Sequence, residues 1–224
     1  MRFAMPLILC LAATQFAAAK DFRCDDELFL VEATNSDLAH RTCRSATKAR
    51  EYLSSCGVYL NEPLSISVVE TIEGVTGSCL GLYHCGEGRI EVLSPQAMSA
   101  VRASDGAFSR ISDHALWDSV IVHELTHAAY ERVTCPFPSC IATSEYAAFA
   151  MQLRSLPLIE LERFGKTDDS ETKPSHDAIS AMMYFMAPDR FAELTWLHFS
   201  TRPDPCTYME WIMLGNIFFD RERP

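Results

Sequence analysis

The stretch VIVHELTHAAY, residues 120–130, determines how the rest of the sequence is interpreted. Residues four positions apart lie on the same face of an α-helix, so a helix here brings the imidazoles of His123 and His127 together. The flanking valines and alanines indicate a buried helix rather than a solvated face that happens to carry two histidines. Burying two imidazoles beside the Glu124 carboxylate is costly without a partner. The stretch therefore predicts a metal site on a buried helix.

Glu124 lies one position round the helix from His123. It would therefore face the open side of a metal ion held by the two histidines without binding the ion itself. Zinc suits imidazole ligands, and it polarises a carbonyl group and activates water near neutral pH. A carboxylate in this position can take a proton from that water and pass it to the leaving nitrogen. We therefore expect a zinc site with Glu124 as the general base.

A zinc site needs a third protein ligand, and Glu145 is the best candidate. It lies near the start of a predicted helix in ATSEYAAFAMQ, residues 142–152, whose alanines would let this helix lie close to the one with the histidines. We expect Thr143 or Ser144 to cap this helix. The helix dipole alone also favours an acidic residue in a first turn. The assignment of Glu145 as a ligand therefore depends on the two histidines just upstream.

HELTHAAY followed by SEYAAFA resembles the gluzincin branch of the zincin metallopeptidases. That branch combines His-Glu-x-x-His with a glutamate on the next helix, and residues 145–148 (EYAA) match its Glu-x-x-Ala form. The metzincin branch continues with glycine and histidine, where this sequence has Tyr130 and Val133, and is excluded. The resemblance covers residues 64–150.

The resemblance implies a zincin-like α+β fold, in which a small sheet lies above the motif helix, and hydrolysis of peptide bonds. His123, His127 and Glu145 would hold Zn²⁺, and Glu124 would act as the general base. The family also uses a late tyrosine, histidine or arginine to stabilise the oxyanion. The sequence offers four candidates for this role and does not choose among them: His176, Tyr184, His198 and Tyr208.

Two other histidines, His84 and His114, are candidates for additional metal ligands. One stands in a predicted hairpin and the other near the start of the motif helix. We expect both to be surface or capping residues.

Residues 1–19, MRFAMPLILCLAATQFAAA, have the pattern of a secretory signal peptide: a short basic start, an apolar core and small residues before Lys20. The core is too short to span a bilayer, which takes ~20 apolar residues. We therefore expect an exported protein, periplasmic or extracellular, with residues 20–224 forming one domain. Loss of Arg2 changes the net charge from −11 to −12. This charge argues against nucleic acid as a partner and against docking to an anionic membrane.

Removal of the signal peptide also removes one of the nine cysteines. An even number in an exported chain indicates four disulfides. A thiolate zinc cluster is the alternative, but the sequence contains no Cys-x2-Cys pair. Spacing does not fix the pairing. We hypothesise that Cys135 pairs with Cys140 and so positions the Glu145 helix, because they bracket a proline-containing loop just before it.

The remaining patterns place strands before helices, which is typical of an α+β fold. We expect a small N-terminal sheet and a mostly helical C-terminal half that contains the HExxH helix. A helix over residues 45–55 should end with Gly57 in the left-handed conformation. The expected elements are a strand over 64–70, a hairpin from 79–83 and 89–93, helices over 111–133, 143–156, 175–186, 188–199 and 205–214, and a polar loop over 166–174.

The sequence therefore predicts an exported, disulfide-bonded zinc metallopeptidase acting on a peptide or protein substrate. The alternative is a non-catalytic zincin-fold binding or inhibitor-like protein with a structural zinc. The small size of the chain and the unassigned oxyanion residue favour this alternative. Glu124 opposes it, because a purely structural site has no use for a base.

Overall fold

A computed structural model describes residues 19–74, 79–164 and 174–220, in which a five-stranded mixed sheet packs against helices. The order across the sheet is β1-β2-β3-β5-β4. The three central strands are parallel, and each edge strand is antiparallel to its neighbour. The strands are β1 (Lys20–Arg23), β2 (Phe29–Ala33), β3 (Leu64–Val69), β4 (Gly81–His84) and β5 (Arg89–Leu93).

The helices begin at side-chain caps where the sequence provides them. Asn35 accepts the N–H of Leu38 at the first helix, and Ser112 accepts the N–H of Ala115 at the motif helix. The helices are α1 (Ser36–Ser54), α2 (Pro95–Val101), α3 (Asp113–Tyr130), α4 (Ile141–Arg154), α5 (Leu158–Leu161), α6 (Ala181–Met186), α7 (Pro188–Ser200) and α8 (Pro205–Met213), with a 3₁₀ turn at His176–Ala178.

The motif helix α3 lies at the centre of the fold, between the sheet and α4. Trp117 is fully buried, and its indole N–H donates to the carbonyl oxygen of Leu93 at the end of β5 over 2.8 Å. On the other side, the alanines of α4 are fully buried and allow the two helices to lie close together, as predicted. These contacts hold the histidines of α3 opposite the first turns of α4.

The predicted α+β class is confirmed, but the N-terminal part of the fold was only partly predicted. The first helix begins at Ser36 instead of residue 45 and lies between β2 and β3, so these parallel strands form a βαβ unit. Both β1 and β2 were missed. The end of α1 was predicted correctly, since Gly57 follows it with a φ of 74°.

Three further predicted helices have different boundaries, and the helix predicted over residues 143–156 spans Ile141–Arg154. The motif helix spans Asp113–Tyr130, inside the predicted 111–133. The helix predicted over residues 175–186 is interrupted, because Ser180 has an extended backbone and its side chain caps the start of α6.

Three disulfides are present within the described residues: Cys24–Cys43, Cys56–Cys206 and Cys135–Cys140. The predicted pairing of Cys135 with Cys140 is confirmed. The prediction of four disulfides is wrong, because Cys79 and Cys85 are free thiols. The extended strand β4 lies between them and keeps them much farther apart than a disulfide can bridge.

Along the described part of the chain, no helix is both long and apolar enough to span a membrane. The predicted signal peptide, except for Ala19, and all but the last residue of the predicted polar loop lie outside the described residues. Both therefore stay predictions.

Candidate metal centre

Helices α3 and α4 bring together the three side chains predicted to hold the metal. The Nε2 atoms of His123 and His127 lie 3.1 Å apart. The two carboxylate oxygens of Glu145 lie 3.5 Å and 3.6 Å from these nitrogens, one oxygen facing each ring. This is the one group of three potential metal ligands found among the described residues. All three ligand atoms point at the same small volume.

A chain of hydrogen bonds fixes the tautomer of His123. The hydroxyl of Ser119 donates to the carbonyl oxygen of Leu116, so it must accept from the side-chain amide of Gln152 over 3.2 Å. The amide oxygen of Gln152 then faces Nδ1 of His123 at 2.9 Å and accepts a hydrogen bond from the Nδ1–H group. Nε2 of His123 is therefore left with a free lone pair, as a metal ligand requires.

The outer nitrogen of His127 also has a partner on α4. Its Nδ1 lies 2.8 Å from the hydroxyl oxygen of Ser144, which can accept a hydrogen bond from an Nδ1–H group. The ring of His123 is held further by an edge contact with Phe149, with 4.7 Å between ring centroids. Both imidazoles are thus oriented by α4, the helix that also carries Glu145.

The donor set fits a zinc ion. Two imidazole nitrogens and a carboxylate are a common zinc ligand set. Oε2 of Glu145 is buried, and within the described part of the chain no hydrogen bond to it is formed. Two imidazole lone pairs facing each other beside a carboxylate repel unless a cation or a proton lies between them. A metal cation at this point would satisfy all three groups.

Burial and mutual charge shift the pKa values of these three groups. Burial lowers the pKa of His127 to about 4, so this ring is neutral at neutral pH. Burial also lowers the pKa of His123, but the Glu145 and Glu124 carboxylates outweigh it, and the pKa lies above its usual value. Burial raises the pKa of Glu145, yet the two imidazoles and the Tyr184 hydroxyl more than offset this and hold it below its usual value.

Glu124 is buried on α3 beside the edge strand β4, with 5% of its surface exposed. Burial raises the pKa of its carboxyl to about 7; the nearby Glu145 carboxylate acts in the same direction, while His123 and the backbone N–H of Tyr83 act against it. A general base is most effective when its pKa lies near the working pH. A carboxyl group with a pKa near 7 has a proton affinity suited to general-base catalysis near neutral pH.

Glycine at position 81 makes the approach of β4 to Glu124 possible. A Cβ atom at Gly81 would lie 2.7 Å from Oε1 and 2.8 Å from Cγ of Glu124. It would also lie 2.9 Å from a methyl group of Val120, one turn earlier on α3. Real Cβ contacts are essentially never this short. Any larger residue would therefore have to displace the side chain of Glu124 or the strand.

Only one of the four candidate oxyanion residues lies at the centre. The hydroxyl of Tyr184, on α6, is close enough to Glu145 and Glu124 for the two carboxylates, together with burial, to raise its pKa. The other three belong to a separate aromatic cluster around Tyr146. His198 lies 2.9 Å from the Tyr146 hydroxyl, Tyr208 packs under Arg202, and His176 stacks on Phe219.

Of the two other histidines, His114 is a surface residue as expected, whereas His84 lies at the end of β4 with its side chain largely buried and is neither a surface nor a capping residue. His84 faces Glu91 at 3.2 Å, and His114 faces Asp118 at 3.0 Å on an exposed part of α3. Neither belongs to the group of three potential ligands.

Several residues of the centre were not predicted from the sequence. Thr143 and Ser144 do not cap α4, because the helix already begins at Ile141. Ser144 instead contacts His127. Gln152 had a detectable signal, because it follows Glu145 by two helical turns and so lies on the same face of α4. Gly81 had none, because its role depends on a contact with a residue far away in the sequence.

The fold and the site define an α+β protein with a candidate metal centre between two helices. A model for a family of unknown function, DUF6639, matches residues 29–222. The match covers most of the chain, and the protein therefore belongs to this family. No curated protein and no solved structure matches the chain.

Proposed function

We propose that the protein is a zinc-dependent peptidase with a zincin-like fold. One observation carries the proposal. Two imidazole Nε2 atoms and a carboxylate with an unpartnered buried oxygen converge next to a separate buried carboxylate, Glu124. The position of β4 and β5 against the motif helix also agrees with the small sheet that the zincin resemblance implies.

Different residues of the metal centre have different roles in the proposed peptide hydrolysis. When bound, zinc supplies polarisation of the scissile carbonyl group and activation of a water molecule. Glu124 accepts the proton of the attacking water on its carboxylate and passes it to the leaving nitrogen. Gln152 and Ser144 keep the two imidazoles in the orientation and tautomer that bind metal. The Tyr184 hydroxyl donates a hydrogen bond to the developing oxyanion.

An apolar surface beside Tyr184 supports a polypeptide substrate. The ring of Phe185 packs against that of Tyr184, with 5.3 Å between centroids, and is 66% exposed. Met182 and Met186 lie on the same exposed face of α6, at 76% and 80% exposure. Flexible thioether side chains adapt to varied apolar partners. A substrate that places apolar side chains on this face would have its backbone next to the metal centre.

The metal is tested by measuring zinc in the purified protein and in single variants. We expect one zinc per chain in wild type and none in His123→Ala or His127→Ala. His114→Ala is the matched control, because this histidine is on the same helix but exposed. Equal zinc content in all four proteins would contradict the proposal.

Catalysis is tested with Glu124→Gln, which should keep the metal and abolish hydrolysis of quenched fluorescent peptides. Loss of a general base costs ~10²–10⁴ in rate. Glu51→Gln, an exposed change on α1, is the control. If wild type holds zinc but hydrolyses no peptide better than Glu124→Gln does, the protein is a zinc-containing binding protein and the peptidase proposal is wrong.

A further inference from the structure

The start of α4 is stabilised by a residue from the far end of the chain. Cys140 occupies the N-cap position, but its sulfur forms the disulfide with Cys135 and the side chain makes no capping hydrogen bond. The carboxylate of Asp220 takes over the capping role. Its Oδ1 accepts the N–H of Ala142 over 2.7 Å, and its Oδ2 accepts the N–H and the hydroxyl of Thr143 over 2.9 Å and 2.6 Å. A carboxylate also interacts favourably with the positive end of the helix dipole.

The neighbouring Phe219 anchors this C-terminal segment to α4. Its backbone N–H donates to the Thr143 hydroxyl oxygen over 2.7 Å. Its ring stacks on Tyr146 with 4.3 Å between centroids, and the ring of His176 stacks on it at 4.2 Å. Phe219 and Asp220 therefore hold the start of α4 through its backbone N–H groups and through the side chains of Thr143 and Tyr146.

The residues of α4 that follow Thr143 include one of the three potential ligands and the partners of the other two. Ser144 orients His127, Glu145 faces both imidazoles, and Gln152 sets the tautomer of His123. All three lie on one rigid helix, so a rotation or shift at its first turn moves them together. Metal binding is sensitive to such displacement, because ligand atoms must converge to within a few tenths of an ångström.

We propose that Asp220 is a positioning residue of the metal centre, which acts on the metal through α4. The inference rests on the proposed zinc site but not on peptide hydrolysis. It predicts that zinc affinity depends on a carboxylate 75 residues beyond the nearest ligand, Glu145. Because coupling between two binding events is reciprocal, bound zinc should also strengthen the docking of the C-terminal segment.

A second helix in the protein provides a matched control. At the start of α8, Asp204 accepts the N–H of Thr207 over 3.0 Å and its hydroxyl over 2.8 Å. The same pair of residue types thus caps both helices, but α8 carries no residue of the metal centre. The variants Asp220→Asn and Asp204→Asn therefore each remove the negative charge and one of the two acceptor oxygens from the same kind of cap, in a helix that carries a ligand of the centre and in one that does not.

The affinity of each variant for zinc is measured by competition with a chromophoric chelator, at a temperature where both remain folded. Loss of a group that orients metal ligands commonly weakens binding by 10–100-fold. We expect a weakening in this range for Asp220→Asn and less than about twofold for Asp204→Asn. The visible absorption of the cobalt-substituted protein should change only in Asp220→Asn, because it reports the geometry of the ligands. Loss of fold stability alone would not change it.

A second pair of variants covers the case in which Asp220→Asn fails to fold. Thr143→Val removes the hydroxyl that links Asp220 and Phe219, whereas Thr143→Ser keeps it. We expect weak zinc binding in the valine variant and nearly normal binding in the serine variant.

The outcomes separate this inference from the proposed function. If wild type binds no zinc, both are wrong. If wild type binds zinc and Asp220→Asn binds it equally well, or if Asp204→Asn is affected to the same extent, only the role of Asp220 is wrong. If zinc binding follows the expected order and no peptide is hydrolysed, the role of Asp220 stands and the peptidase proposal does not.

Discussion

Replacing Gly81 by alanine should separate catalysis from metal binding. The added Cβ would lie 2.7 Å and 2.8 Å from two atoms of Glu124 and 2.9 Å from Val120, where ordinary contacts begin at 3.4 Å. Glu124 or β4 must therefore shift by about 0.7 Å to bring the closest of these contacts, at 2.7 Å, to 3.4 Å. Overpacking of this kind typically costs ~1–3 kcal/mol, which should lower Tm by several degrees.

The effect on hydrolysis should be larger than the effect on stability. A misplacement of ~1 Å in a catalytic group can cost ~10²-fold in rate, so we expect kcat/KM of Gly81→Ala to fall by a factor of ~10–100. Zinc content should be unchanged, because the three atoms nearest to the added methyl group belong to Glu124 and Val120 and not to His123, His127 or Glu145.

Gly106→Ala is the matched control for this prediction. A Cβ at Gly106, in the loop before α3, would collide with the carboxylate of Asp189 on α7, and neither residue belongs to the group of three potential ligands. We expect this variant to lose stability and keep kcat/KM. The reasoning is refuted if Gly81→Ala retains more than half of the wild-type kcat/KM, or if the two alanine variants lose activity equally.

Three further changes test the surroundings of the centre. Gln152→Leu should weaken zinc binding by ~10–100-fold, since His123 loses the acceptor that fixes its tautomer; unchanged affinity would contradict this role. The double change Cys135→Ser and Cys140→Ser should weaken zinc binding more than it lowers stability, because a loop this short gives ~2 kcal/mol or less; chemical unfolding and chelator competition on the same samples compare the two. The pKa of His123 is raised, so below that pKa its imidazole must lose a proton before it can bind zinc. In that range the affinity for zinc should fall ~10-fold for each pH unit of acidification. A zinc affinity that stays constant from pH 8 to pH 6 would rule this out.

The motif helix was predictable because its signal is local and dense. His123, Glu124 and His127 stand together in an apolar stretch, and Glu145 follows on the next helix. The alanines of α4 also gave a correct indication of close helix packing, because small residues in a helix point to a near neighbour. These features needed no knowledge of the rest of the chain.

The missed parts have identifiable physical causes. The first half of α1 buries Ala39 and Thr42, which are small, so it lacks the periodic large apolar residues that reveal an amphipathic helix. The role of Asp220 depends on Thr143, 77 residues earlier, and local patterns carry no trace of such a contact. Four disulfides were predicted from the even number of cysteines alone. That number does not show how far apart the fold places each pair. Cys79 and Cys85 lie at opposite ends of β4 and cannot meet.

The identity of the metal ligands tests the central claim most directly. Zinc bound by His123, His127 and Glu145 predicts nitrogen and oxygen neighbours at ~2.0–2.2 Å and no sulfur. X-ray absorption at the zinc edge, on protein loaded with one equivalent of zinc, measures these distances. The free thiols of Cys79 and Cys85 are the alternative zinc ligands that this measurement would detect. A sulfur neighbour at ~2.3 Å would place the zinc on a cysteine and contradict the account.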